Sequence, residues 1–322
     1  MKLKIAVVCV AAACGWVQQS AAQSYPERPI RIVCPFPPGG SSDFGARILS
    51  THLPALLKQT VVIDNRGGAG GNSGTDIAAK AAPDGYTLLA TSEGPITVSP
   101  SLYPRLPYVP SRDLVGITQF IKYTHVVVVN PTVKASNIKD LIALAKAQGG
   151  KLSYAHPGVG TSNHLAVEAF KLATNTDMIS VSYKGGGPAI VSVIGNETAV
   201  SFATAPSAIP HVKSGKLRAI AITAGKRSPV LPELPTVAES GVPGYAIEGW
   251  VGLLAPAKTP PAVVQRLYDE TVKIMNMKEV KDIVFSGGSE VATTSPKETQ
   301  ALLRDEGAMW AKVIGKLGIK AE

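Results

Sequence analysis

Cys34-Pro35-Phe36-Pro37-Pro38-Gly39-Gly40-Ser41-Ser42-Asp43 joins two segments of different period. Before it, Pro29-Ile30-Arg31-Ile32-Val33 reads as a short strand. After it, Phe44, Ile48, Leu49, Leu53, Leu56 and Leu57 recur at helical spacing. Prolines and glycines fill the junction, hydroxyls follow, and Asp43 is placed to cap the helix. The product is a strand, a tight turn and a helix N-terminus whose free N–H groups face outward. Unpaired donors and partial positive charge make such a terminus a seat for an anion, most simply a carboxylate. The same residues would also serve as a plain strand-to-helix connection in an α/β domain. A second loop of the same build tips the reading. His156-Pro157-Gly158-Val159-Gly160-Thr161-Ser162-Asn163-His164 follows the strand Leu152-Ser153-Tyr154-Ala155 and leads into a helix marked by Leu165, Val167, Ala169, Phe170 and Leu172. Two such termini, from different halves of the chain, can grip one anion from opposite sides.

Between and around these loops the chain alternates strand and helix. Thr60-Val61-Val62-Ile63-Asp64 is β-rich and runs into the glycine stretch 65–74. Gly68 and Gly70 begin a G-x-G-x-x-G pattern, but its third glycine position is Ser73, so a dinucleotide site fails on spacing. A glycine turn that lets the backbone approach a ligand or another strand fits better. Tyr86-Thr87-Leu88-Leu89-Ala90 is a strand ending in Thr91-Ser92-Glu93-Gly94. The loops after Val33, Asp64 and Ala90 all leave carboxyl ends of strands, which face the ligand crevice in an open α/β sheet. His125-Val126-Val127-Val128-Val129-Asn130 has the continuous apolar character of a buried parallel strand. Ile179-Ser180-Val181-Ser182-Tyr183 is another strand, followed by Lys184-Gly185-Gly186-Gly187-Pro188. Lys184 either lends charge to the crevice or is a solvated lysine at a turn. Further strands are expected at 198–202, 218–223 and 251–255, and helices at 137–148, 261–276 and 296–317. The alternation implies parallel sheets flanked by helices, an α/β fold.

With 322 residues the chain is long enough for two domains, and 45% hydrophobic against 17% charged residues marks it as globular. Lys2 and Lys4, the apolar run 5–13 and Ser20-Ala21-Ala22 look like the three regions of a secretory signal, cut after Ala22. The run is too short to span a bilayer. A second reading makes Cys14 a lipoprotein anchor, although the usual large apolar residue three positions before it is missing. Cleavage removes Cys9 and Cys14. Cys34 is then alone, no intrachain disulfide can form, and a small core thiol is the better reading of it. The formal charge of +9 becomes +7 (9 − 2) without Lys2 and Lys4. Its basic residues are spread out with no aromatic ladder among them, so nucleic acid is a poor partner. A mild field favouring anionic solutes is the more modest inference.

Catalytic machinery is hard to find. No G-x-S-x-G elbow is present. His156 and His164 have no Cys, Asp or Glu beside them, so neither a metal site nor a cofactor is expected. Glu93 stands alone among the crevice loops, which leaves no carboxylate pair for acid–base work. Ser162 with His164 is the one pairing that keeps a periplasmic hydrolase open as an alternative. These loops are equipped to hold a ligand and not to transform one.

The chain resembles the solute-binding proteins of the tripartite tricarboxylate transporters, the Bug family of TctC-like periplasmic receptors. The likeness covers essentially the whole mature chain. It rests on Tyr25-Pro26 with Pro29-Ile30, the Pro35 to Ser41 motif with Asp43, and Asn65-Arg66 with Gly68-Ala69-Gly70-Gly71-Asn72. It continues through Pro83-Asp84-Gly85-Tyr86-Thr87-Leu88-Leu89, Gly160-Thr161 with His164-Leu165, and Tyr183-Lys184-Gly185 with Pro188-Ala189. Ser214-Gly215-Lys216-Leu217-Arg218-Ala219, Leu234-Pro235-Thr236-Val237-Ala238-Glu239, and Trp250 before Ala255-Pro256 complete it.

The resemblance implies a periplasmic-binding-protein (Venus flytrap) fold, with two α/β domains, a mostly parallel sheet in each, joined by crossover strands. Residues 1–22 would be the signal, 24–124 plus 247–322 the first domain and 125–246 the second, hinged near Thr124 and Ala246. It implies a monomeric carboxylate receptor that serves a membrane permease, with a sensor-kinase ectodomain as the alternative partner. The carboxylate would be held by backbone amides, hydroxyls and water. Phe36, Pro38, Gly39, Gly40, Ser41 and Ser42 would face Gly160, Thr161, Ser162, Asn163 and His164. Gly70, Ser92, Glu93, Lys184 and Gly185 would lie along the rest of the cleft, with Ala203 and Thr204 at its distal end. Two departures stand out. Gly67 replaces the proline of the family's Asn-Arg-Pro-Gly, and Ala199, Ala203 and Thr204 stand where relatives often carry acids, which leaves the distal pocket undefined.

Overall fold

Apolar runs bounded by glycine and proline turns fold as a strand–helix alternation. The computed structural model describes residues 25–321, so the secretory signal, Cys9, Cys14, the cut after Ala22 and the first residue of the expected domain 1 lie outside the described residues. In chain order the elements are β1 (Ile30–Cys34), α1 (Ser41–Leu57), β2 (Val61–Asn65), α2 (Asn72–Ala79), β3 (Thr87–Ser92), a π-helical turn (Gly94–Val98), α3 (Ser99–Leu102) and α4 (Pro110–Asp113). Then come β4 (Leu114–Val129), α5 (Ile138–Ala147), β5 (Ser153–His156), α6 (Ser162–Thr174), β6 (Ile179–Ser182), α7 (Gly186–Ile194), β7 (Val200–Thr204), α8 (Ala205–Lys213) and β8 (Arg218–Ile222). The chain ends with β9 (Glu248–Pro256), α9 (Pro261–Asn276), α10 (Lys278–Ser286), β10 (Ser289–Val291) and α11 (Pro296–Leu317).

Two sheets share one strand. The first has the order β2-β1-β3-β9-β4-β10, and the second β6-β5-β7-β4-β8. In the first, β2, β1, β3 and β4 run one way and β9 and β10 the other. In the second, only β4 runs against its neighbours, so each sheet is mixed, with most of its strands running one way. The long β4 is the element the sequence pattern hides. Its apolar half, 125–129, is the strand its composition implies, but it runs antiparallel to β7 and β8 and not parallel as the unbroken apolar run suggests, whereas 114–124 mixes glycine, threonine and lysine with apolar residues. Pairing with β9 supplies what propensity lacks there.

β4 changes sheets between Thr124, opposite Glu248 of β9, and His125, opposite Thr204 of β7. The Thr223 hydroxyl clips the crossing: it donates to Ile247 O at 2.6 Å and accepts from His125 N at 3.0 Å. Beneath each sheet lies its own apolar core. One is built on Ile32, Leu49, Phe120 and Leu253, another on Val127, Tyr154, Phe170 and Phe202. A smaller cluster joins Leu165 of α6 to Val98, Leu102, Trp310 and Ile314, tying the second sheet's helix to the first half.

Candidate functional site

The turn after β1 seats α1, but Asp43 is not its cap. Gly40 is the N-cap, in extended conformation (φ −96°), and Asp43 sits at the third helical position. Its carboxylate reaches back to accept from Gly39 N at 3.0 Å, from Arg47 Nε at 2.8 Å and from Asn65 Nδ2 at 3.1 Å. That holds the glycine turn rigid while leaving the first α1 amides free, as at every helix start. In the second half Thr161 caps α6: its Oγ1 donates to Gly158 O at 2.8 Å and receives the His164 amide at 3.4 Å.

These two termini do come together, and two more join them. A small cavity is lined by Phe36, Gly40, Ser41, Ser42 and Ser92 on one side. Pro157, Thr161, Asn163, Gly186 and Thr204 line the other, with Tyr123 of β4 at the join. The N-termini of α1, α6, α7 and α8 therefore all reach this space, since Gly40, Thr161, Gly185 and Thr204 are their caps. None of the lining residues carries a formal charge. Four converging helix starts give the cavity a positive potential from dipoles and amides alone. The Ser42 hydroxyl is buried there without a hydrogen-bond partner among the described residues.

Of the residues expected from sequence, Phe36, Gly40, Ser41, Ser42, Ser92, Thr161, Asn163 and Thr204 line this cavity. Gly70 and Lys184 line an adjoining one, which shares Phe36 and Pro157 and includes Tyr103 and Tyr183. Pro38, Gly39, Gly160 and Gly185 act as walls where the two halves touch. A Cβ on Gly187 would lie 2.8 Å from Pro38 O, and one on Gly185 2.7 Å from Pro37 Cδ. Glycine is needed at these points because backbone meets the facing half with no room for a side chain.

Four expected residues sit behind the cavity wall. Ala203 belongs to an apolar core. His164 stacks on His156 with ring centroids 4.6 Å apart, and burial lowers both imidazoles, to about 4 and about 3, so the pair is neutral packing. Ser162 meets His125 and not His164, with Oγ 2.8 Å from Nε2. Glu93 is fully buried behind Tyr123, whose hydroxyl lies 3.2 and 3.3 Å from its oxygens. Cys34 is a buried thiol pushed up to about 12, chiefly by burial, which makes it a poor nucleophile.

Sequence reasoning missed Tyr123, Pro157 and Gly186. Gly186 carried a signal, because Gly185-Gly186-Gly187 after β6 repeats the strand–glycine–helix design of the first two loops. Tyr123 carried none: its inward direction is set by the register of β4 on β9. Among the described residues no group of three or more His, Cys, Asp or Glu side chains converges as a metal site would require.

The profile of the tripartite tricarboxylate transporter family receptor matches residues 46–319. The chain belongs to this receptor family. It is 38% identical over 310 residues to protein BugT of Bordetella pertussis, covering 96% of this chain and 95% of that one. The fold matches the periplasmic binding protein BugD with a TM-score of 0.89 at 32% identity, over 92% of this chain and 100% of BugD. An R. palustris protein solved with adipate matches equally, with a TM-score of 0.89 at 31% identity over 92% and 99% of the two chains. The receptor is thus a periplasmic-binding-protein-like α/β molecule of the Bug type. Its family is one of solute receptors, a class distinct from enzymes.

Proposed function

We propose that the mature receptor works in the periplasm, where it captures a small organic carboxylate between its two halves and hands it to a tripartite tricarboxylate-type permease. The observation that carries this reading is the meeting of four helix N-termini at one uncharged, hydroxyl-lined cavity. Such a site favours a carboxylate without an arginine clamp. The adipate bound by a relative supports the same ligand class. Residues 25–124 with 247–321 form one domain and 125–246 the other, and the crossings at Thr124–His125 and near Ile247 are the hinges. Ligand binding the closed form better than the open one drives closure. The protein delivers its ligand unchanged, and export through a cleaved N-terminal signal brings it to the compartment.

Titration calorimetry with a panel of mono- and dicarboxylates, adipate included, tests the reading. At least one acid is expected to bind with one-to-one stoichiometry, and mass spectrometry should recover it intact. No binding by any member, or turnover of a bound acid, would overturn it.

A further inference from the structure

A buried acid lies directly behind the wall of a cavity suited to anions. Glu93, the residue before the π-helical turn, has no solvent exposure. Trp250 N of β9 donates to its carboxyl at 3.0 Å, the Tyr123 hydroxyl of β4 lies within 3.3 Å of both oxygens, and the Ser162 hydroxyl of α6 faces it. A second buried acid, Glu306 of α11, accepts from the indole of the same Trp250 at 2.7 Å. The titratable groups around Glu93 are therefore Tyr123, Glu306 and, through Ser162, His125, whose imidazole is kept neutral by burial, at about 4. Neither acid has an ion-pair partner among the described residues.

The two acids, Tyr123 and Trp250 belong to the first half, whereas Ser162 and His125 belong to the second. The second half meets this acid at the start of α6: Ser162 faces Glu93, and a Cβ on the next residue, Gly94, would lie 3.2 Å from Gly160 O. We propose that Glu93 is a positioning residue that couples ligand capture to proton uptake: as α6 closes over it, the Glu93–Glu306 pair takes one proton from solvent onto a carboxylate oxygen. This deepens the carboxylate-receptor reading and rests on it. The step moves a single proton and breaks no other bond. Burial is the first cause raising both carboxyls, and Glu306, which also feels the charge of Glu93, is carried to about 7. A neutral Glu93 can donate toward Tyr123 and spares an incoming carboxylate the repulsion of a charge behind the wall.

The sign follows from the closed form holding the proton more tightly than the open one. For the ionised form of the ligand, whose own carboxyls titrate in the same range, affinity is greatest toward about pH 4.5. It weakens as pH rises toward the closed-form value, by up to about tenfold per pH unit. Titration of adipate at about pH 7 in buffers of different ionisation enthalpy should give heats that report uptake of close to one proton. In the Glu93→Gln, Glu306→Gln double variant, which removes both members of the pair, the acid should still bind, with buffer-independent heat and a flat profile from about pH 6.5 to pH 8, where the ligand stays ionised. Buffer-independent heat in the wild-type protein over that range, or a wild-type slope in the double variant, would overturn the proposal while leaving the receptor reading intact. If no acid binds, the receptor reading falls, and closure can be imposed without ligand. Gly40 and Gly186 face each other across the cleft, with a Cβ on Gly186 falling 3.5 Å from Gly40 Cα. A Gly40→Cys, Gly186→Cys disulfide should lock the halves and produce the infrared band of a protonated carboxylic acid, lost when Glu93→Gln and Glu306→Gln are both added. Absence of that band in the locked protein would equally sink the idea.

Discussion

At the scale of single residues, the cleft depends on positions where a side chain would be in the way. Gly187 is the cleanest of these, because its own backbone conformation suits any residue, yet a Cβ would meet Pro38 O of the facing half at 2.8 Å. Gly187→Ala should fold normally and bind about 5- to 150-fold more weakly, since an overlap of this kind costs about 1–3 kcal/mol in the closed form only. Titration calorimetry beside a melting curve checks it, and unaltered affinity would remove that contact from closure. Thr161→Val acts differently. It deletes the α6 cap, which costs about 1 kcal/mol of stability, and takes a hydroxyl from the cavity, so binding should be lost while the melting temperature moves by only a few degrees. The glycines and hydroxyls of both loops were legible as residue types. Their use was only half legible, because Gly39, Gly160 and Gly185 turn out to serve the contact between halves and not the cavity lining.

Among the elements, the helix starts do the electrostatic work and α11 carries a pH-sensitive group. Glu306 is pushed up to about 7, first by burial and then by Glu93. Its folded value exceeds its unfolded one, so its contribution to stability is full below about pH 4.5 and is lost as pH rises to about 7, an effect of up to about 3 kcal/mol. His125, His156 and His164 run the other way. Their folded values are depressed, so the stability they contribute is present above about pH 6.5 and lost as pH falls through about 4. Wild-type melting temperature should therefore fall relative to Glu306→Gln as pH goes from about 5 to about 7.5; parallel curves would show that Glu306 titrates normally. The helices after β1 and β5 were readable from their period. The starts of α7 and α8 were not read, because glycine runs and an Ala-Pro start hide the periodicity that marks a helix.

For the whole molecule, the arrangement predicts a closing motion about β4 and the segment leading into β9. Small-angle scattering should record a smaller radius of gyration when a binding acid is added, and Gly187→Ala should remain expanded at the same ligand concentration. No change in the wild-type protein at saturation would argue for a rigid cleft. The long β4 is the element that makes such a motion conceivable, as one strand lies in both sheets and Thr223 binds the two crossings together.

Sequence alone determined the α/β class, the two glycine loops at helix starts and the membership of a receptor family. Each of these is written in local period, turn chemistry and motif order, which need no distant partner to be read. Tertiary structure decided which loops meet, that four helix starts share one cavity, and that Tyr123 lines it while Glu93 and Ser162 stand behind. Those facts depend on strand register and on how the two sheets face each other, and both are set by contacts between residues tens to hundreds of positions apart.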